Sequence, residues 1–179
     1  MSETVTKFGL KKPSRSPTGR TFSVGTTASK KIKIGLVDFI IHGHSAQVIG
    51  QTKGTSFTPS KIIETIQNGL SVRELAVLQA RLGVPMDRLA PKLGISRATL
   101  HRRIAEGRLG LEASDRVVRF ARLMGKAVEV FETVDNARRW LTSTQVGLGG
   151  AVPLDYAETE VGAREVEDLL GRIEYGVYS

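Results

Sequence analysis

The sequence predicts a mainly α-helical protein, with a central helix-turn-helix domain, a small helical C-terminal domain and a flexible basic N-terminal arm. Three observations predict it. From residue 60 onward, Ser, Thr or Pro repeatedly precedes apolar residues spaced three and four apart, the signature of capped amphipathic helices. The stretch Met86–Ile104 has the small residue, the glycine and the apolar seam that two tightly crossed helices need. Residues 1–31 are so rich in Lys, Ser, Thr, Gly and Pro that they can bury almost nothing.

Taking the elements in order, Ile32 to Ile49 turns apolar, with Ile32 and Ile34 alternating against Lys31 and Lys33, which suggests a short strand or an extended segment docked on the core. Gly50 to Pro59 reads as a linker. Ser60 can cap a helix over Lys61–Asn68 that Gly69 ends. Ser71 and Glu74 have capping-box spacing, and Leu75, Leu78 and Leu82 form the stripe of a helix ending at Gly83. Pro85 opens the next helix and Ser96 caps the one after it. Ser114 or Asp115 begins a helix carrying Val117, Val118, Ala121 and Leu123; Thr133 caps a short one through Trp140 and Leu141. Beyond a break at Gly147, Gly149 and Gly150, Thr159 starts the last helix, whose face is Val166, Leu169, Leu170 and Ile173.

Composition narrows the function. With 179 residues, the chain holds one domain, or two small ones and a tail. The absence of cysteine excludes disulfides, thiolate metal sites and a cysteine nucleophile. No apolar run approaches the ~20 residues of a membrane helix, and the first thirty residues lack an apolar signal region, so a soluble cytoplasmic protein is expected. The net charge of +8 is uneven. Residues 1–56 hold nine Lys/Arg against Glu3 and Asp38, residues 57–112 nine against five acidic, and residues 113–179 eight against eleven. A basic front and an acidic rear suggest a polyanion for one end and a different partner for the other.

The helix-turn-helix is the most specific motif. Ala90 is the small residue where the helices cross, Gly94 supplies the turn, and Leu89, Leu93, Ile95 and Leu100 provide the seam. The second helix presents Arg97, Ala98, Thr99, His101 and Arg102 outward, a set able to touch base edges and phosphates of DNA. Arg103 joins this basic set although it falls where a seam residue is common; Ile104 is expected to pack one place later. Pro91 falls inside the first helix, where it removes one backbone bond.

The last helix has an apolar face and an acidic one (Glu165, Glu167, Asp168), then runs into Glu174, Tyr175, Gly176, Val177, Tyr178 and Ser179. Two readings stand at this point. Arg164, Glu167, Asp168, Arg172, Glu174, Tyr175, Gly176 and Tyr178 form an interface anchor or a plug for a partner's pocket. Alternatively, Arg164, Asp168 and Arg172 are ordinary i,i+4 surface pairs. Other motifs carry less. His42 and His44 have ligand-like spacing, but with only His101 besides and no cysteine they make no metal site. Lys53-Gly54-Thr55 inverts the phosphate-loop order, Gly147–Gly150 reads as a turn, Trp140 reads as core, and no nucleophile motif is present. No catalytic residue, cofactor or metal is expected.

From about Thr58 to the C-terminus the chain resembles the antitoxins of the Xre/MbcA/ParS group. The resemblance rests on the runs Leu93 to Arg103, Ser114 to Leu123, Ala137 to Leu141, Leu148 to Leu154 and Thr159 to Ser179. It implies a cognate toxin of the RES type, enzymes that consume or use NAD, bound and silenced by the C-terminal module. It also implies repression of the shared promoter, and favours partner binding for the last helix, with Arg164 and Arg172 pairing with toxin carboxylates. The expected division is a basic arm and linker over 1–56, a DNA-binding domain over 57–112 and a toxin-binding domain over 113–179, in a homodimer within a larger toxin–antitoxin complex. A stand-alone regulator, or an inhibitor that never reads DNA, is the alternative.

Overall fold

The computed structural model describes residues 34–43 and 57–177. The basic arm over 1–31, the linker Gly50–Ser56, His44 and Tyr178 lie outside the described residues. Nine α-helices and one 3-10 turn are described, with no strand among them: α1 (Leu36–His42), α2 (Pro59–Gln67), α3 (Val72–Leu82), α4 (Met86–Lys92), α5 (Arg97–Glu106), α6 (Leu111–Phe131), α7 (Val134–Thr142), the 3-10 turn Val146–Leu148, α8 (Pro153–Tyr156) and α9 (Glu160–Glu174).

α6 is the axis. Its 21 residues span about 30 Å, and α1, α2, α3, α7 and α9 all pack on it. Val117, Phe120, Ala121, Leu123, Met124 and Ala127 are fully buried, so apolar side chains cover more than one face of this helix. The helix begins at Leu111 with Gly110 as its N-cap, earlier than the sequence suggests. Ser114 is therefore no cap. It is buried, accepts a hydrogen bond from the Leu70 N–H (2.8 Å) and donates to the Gly110 carbonyl (2.8 Å). One hydroxyl satisfies the entry to α3 and closes the first turn of α6.

The apolar run beginning at Leu36 is a helix, not the strand or extended segment expected of it. Leu36, Val37, Ile40 and Ile41 recur at helical period and are all buried against α3 and α6. Gly125 of α6 makes the approach possible, because a Cβ there would stand 3.0 Å from the Ile40 carbonyl oxygen. Glu74 holds the other end. The spacing of a capping box would fold Glu74 back on the N-terminus of its own helix. Instead its two carboxylate oxygens accept from the Leu36 and Val37 N–H groups (3.1 and 2.9 Å), capping α1. Arg81 grips Asp38 at 2.7 Å on the same helix.

Cap positions shift elsewhere by a residue or two. Thr58, not Ser60, caps α2 and places Pro59 at its start; Pro85 is itself the N-cap of α4. Ser96, Thr133 and Thr159 cap α5, α7 and α9 as expected, each accepting from the N–H three residues on. The short helix α8 and the 3-10 turn were not foreshadowed as elements. Trp140 is half-buried against Phe131, ring centroids 5.5 Å apart, as a core aromatic would be.

Two consequences are measurable. Ser114→Ala leaves the buried Leu70 N–H without a partner and is expected to lower unfolding free energy by about 1–3 kcal/mol in denaturant titration. Glu74→Gln keeps the shape but removes the charge at the α1 N-terminus and one of the two acceptors, since an amide NH2 cannot accept from an N–H. The loss is about 1 kcal/mol, read as roughly fivefold faster hydrogen exchange of the α1 amides with the α6 amides unchanged.

Candidate functional site

The helix-turn-helix is built by α4 and α5. Leu89, Ala90, Leu93 and Ile95 are buried, and Gly94 turns the chain at φ +69°, a conformation that a side chain at this position would strain. Ala90 accepts from the Ile95 N–H at 2.9 Å, which fixes the angle at which α5 leaves the turn. Pro91 sits inside α4 and is exposed. No residue of α5 is fully buried, so this helix is held at its start and along one side only.

Its free face is a short basic strip. Arg97, Ala98, His101 and Arg102 are exposed and recur at i, i+1, i+4 and i+5, so they share one side. Arg97 and His101 have no ion-pair partner among the described residues; Arg102 makes only a loose contact with Glu106 at 3.7 Å. Thr99 is half-buried, its hydroxyl accepting from the Ser96 hydroxyl (2.9 Å) and its N–H donating to the same Ser96 oxygen (3.2 Å). Arg103 turns the other way. It is half-buried beside Gly110 and paired with Glu106 at 2.7 Å. The expected packing of Ile104 does not occur: it is 54% exposed, and Arg103 is the more buried of the two.

The second candidate surface is the end of α9. Val166 and Leu170 are its buried stripe, joined by Gly162 and Ala163; Leu169 and Ile173 are only half-buried. Arg164 is exposed and pairs with Glu160 (3.4 Å), not with Asp168. Glu167 is half-buried and engaged by Arg122 at 3.0 Å. Asp168, Arg172 and Glu174 are exposed with no ion pair among the described residues. Past the helix, Tyr175 is 80% and Val177 54% exposed, and Gly176 turns between them. Arg164, Asp168, Arg172, Glu174, Tyr175 and Gly176 thus belong to one exposed helix and its end, with Glu167 turned to the core side.

The structure adds residues that the motifs did not single out. Lys92, at the end of α4, reaches Asp155 and, at 2.9 Å, Glu158. Burial pushes this ammonium down, but its hydrogen bonds to the two carboxylates outweigh that and hold it above the ordinary lysine value. Arg119 lies 2.9 Å from Glu160 and 3.3 Å from Asp115. Apart from the i,i+4 pair Asp115–Arg119, such partners sit up to 66 residues apart and leave no periodic trace in sequence. His42 lies on α1 near Arg81; burial first, and the Arg81 charge second, hold its imidazole below the ordinary value against the opposing pull of Asp38. Among the described residues no cluster of three His, Asp or Glu side chains could hold a metal ion.

Comparison with known proteins matches two domains in succession. Residues 61–122 match the antitoxin Xre-like helix-turn-helix domain, and residues 126–176 match the antitoxin Xre/MbcA/ParS C-terminal toxin-binding domain. An Antitoxin Xre from Yersinia enterocolitica is 37% identical over 120 residues, covering 66% of this chain and 81% of that relative. An Antitoxin Xre from Photorhabdus laumondii is 39% identical over 75 residues, 41% of this chain and 51% of the relative. A Sphingobium protein named Prs ADP-ribosylating antitoxin is 26% identical over 132 residues, 68% of this chain and 83% of its own length. With both domains matched in order and these relatives at hand, the chain belongs to the Xre/MbcA/ParS antitoxin family.

Proposed function

We propose that this antitoxin neutralises a RES-type, NAD-using toxin through residues 113–179 and represses the promoter it shares with that toxin through residues 57–112. It does so in the cytoplasm, as a homodimer inside a larger toxin–antitoxin complex. The NAD chemistry belongs to the toxin; the reading gives this chain no catalytic role. The observation that supports it best is the unengaged end of α9, where Arg172 and Tyr175 within the toxin-binding match, and Val177 just beyond it, face solvent. A tyrosine, an arginine and an apolar residue left in water are what an interface core is built from. The bare basic strip of α5 supports the DNA half, since a helix whose outer side carries Arg97, His101 and Arg102 suits a major groove.

Co-expression with the adjacent reading frame tests the whole reading. It predicts a co-purifying complex, rescue of growth, and salt-dependent binding of the upstream promoter. A complex without promoter binding would leave a pure protein-level inhibitor, and promoter binding without a complex a stand-alone regulator.

Two variants separate the halves. Arg97→Ala or Arg102→Ala is expected to weaken promoter binding by about 1–3 kcal/mol at fixed salt, if the side chain pairs with a guanine, and to leave growth protection intact. Removing Glu174–Ser179 is expected to abolish protection at matched expression while promoter binding and thermal melting change little. Full protection by the truncated chain would place the interface elsewhere.

A further inference from the structure

The turn before α8 holds an apolar side chain that the fold does not use. Val146 is 96% exposed, yet the backbone around it is tied down. The Gln145 N–H donates to the Ala151 carbonyl (3.0 Å), and the Gly150 N–H donates back to the Gln145 carbonyl (3.0 Å). The Gln145 side-chain amide donates to the Trp140 and Ser143 carbonyls (3.1 and 3.2 Å). Gly147 lets the turn lie directly on α9, since a Cβ there would come within 2.7 Å of a Leu169 methyl. A rigid turn that displays a valine is costly to leave in water and cheap to bury, because no loop has to be ordered first.

Val146 is also not isolated. Together with Leu169, Ile173 and Val177 it lines one groove of about 470 Å³ between the turn and α9. Arg172 is the charged residue of that lining, and it has no carboxylate partner among the described residues. The groove lies within and just beyond residues 126–176, the segment matching a toxin-binding domain, and its far wall is continuous with the exposed Tyr175 end of α9.

We infer that the toxin contact is bipartite: Val146 on the 3-10 turn and the α9 end form the two walls of a groove that receives an apolar ridge of the toxin, with a toxin carboxylate meeting Arg172. This rests on the toxin-binding reading above and adds to it a second, rigid contact distant in sequence from the C-terminal tail. Val146 is a specificity-determining residue of that contact. Its side chain lies almost wholly in solvent, and its turn contact is a backbone bond from the Gly149 N–H that any side chain leaves in place, so its replacement acts on the complex rather than on the fold.

The test uses the full chain and the purified product of the adjacent reading frame. Val146→Asp and the milder Val146→Ser are expected to weaken toxin binding by about tenfold to a hundredfold for the charge and less for serine. Promoter binding and melting temperature should stay at the wild-type values. Because the chain has no cysteine, Val146→Cys supplies a unique thiol, whose alkylation by a maleimide should be fast in the free protein and blocked in the complex. Unchanged affinity in both variants, or equal alkylation with and without toxin, would overturn the bipartite groove. If removal of Glu174–Ser179 still abolished binding in that case, the toxin-binding reading itself would stand. Failure of the wild-type chain to bind the toxin would overturn both.

Discussion

The structure depends on α6 being surrounded. A helix of 21 residues buried on several sides cannot be stable alone, because the apolar positions on all those sides would then face water. Each neighbouring helix is present to cover part of it: α1 and α3 on one stretch, α7 and α9 on others. The family matches end at 122 and resume at 126, so both fall on this one helix. The two functional modules therefore share a core element. Movement of α6 against α3 would disturb the first matched domain, and movement against α9 the second.

The small contacts around α6 decide how tightly that core closes. Burying the Leu70 N–H would be unfavourable without a partner, and Ser114 supplies one from inside α6 itself. At α1 the same problem, unsatisfied N–H groups at a helix start, is solved by Glu74 from a neighbouring helix. Both solutions place a polar group of one element at the terminus of another. They fix the relative position of the helices where apolar contacts alone would allow sliding.

Helix number and type could be read from sequence wherever capping residue and apolar period coincide, as at Ser71, Ser96, Thr133 and Thr159. Reading failed where tertiary contact overrides the local signal. Ile32 to Ile49 alternates like a strand over its first residues, but the four buried positions from Leu36 to Ile41 follow a helix. Ser114 has the composition of a cap and the place of a core bridge. In the helix-turn-helix the seam was legible through Ala90, Gly94 and Ile95, whereas the exchange of roles between Arg103 and Ile104 was not. It follows from Gly110 leaving room beside α5 for a guanidinium, which only the packing of α6 reveals.

The charge pattern is the clearest case of a sequence signal with two origins. An acidic C-terminal third suggests a surface for a basic partner, but several of its carboxylates are already engaged. Asp155 and Glu158 hold Lys92, Glu160 holds Arg119, and Glu167 holds Arg122. All three cations come from α4 or α6, and all the carboxylates come from α8, α9 or the turn between them. Pairs of this kind, each with one partner open to solvent, contribute on the order of 1 kcal/mol each, little beside the burial of an apolar core. Their effect is directional. Opposite charges on facing elements favour one register of α9 over shifted ones, because a slip of one turn would separate every pair. Four of the eleven carboxylates of that third are then counter-charges within the chain itself, and Lys92 is the cation among these that comes from outside residues 113–179. What remains free for a partner on the exposed side and end of α9 is a mixed surface, in which Asp168 and Glu174 stand unpaired among the described residues beside Arg172, Tyr175 and Val177.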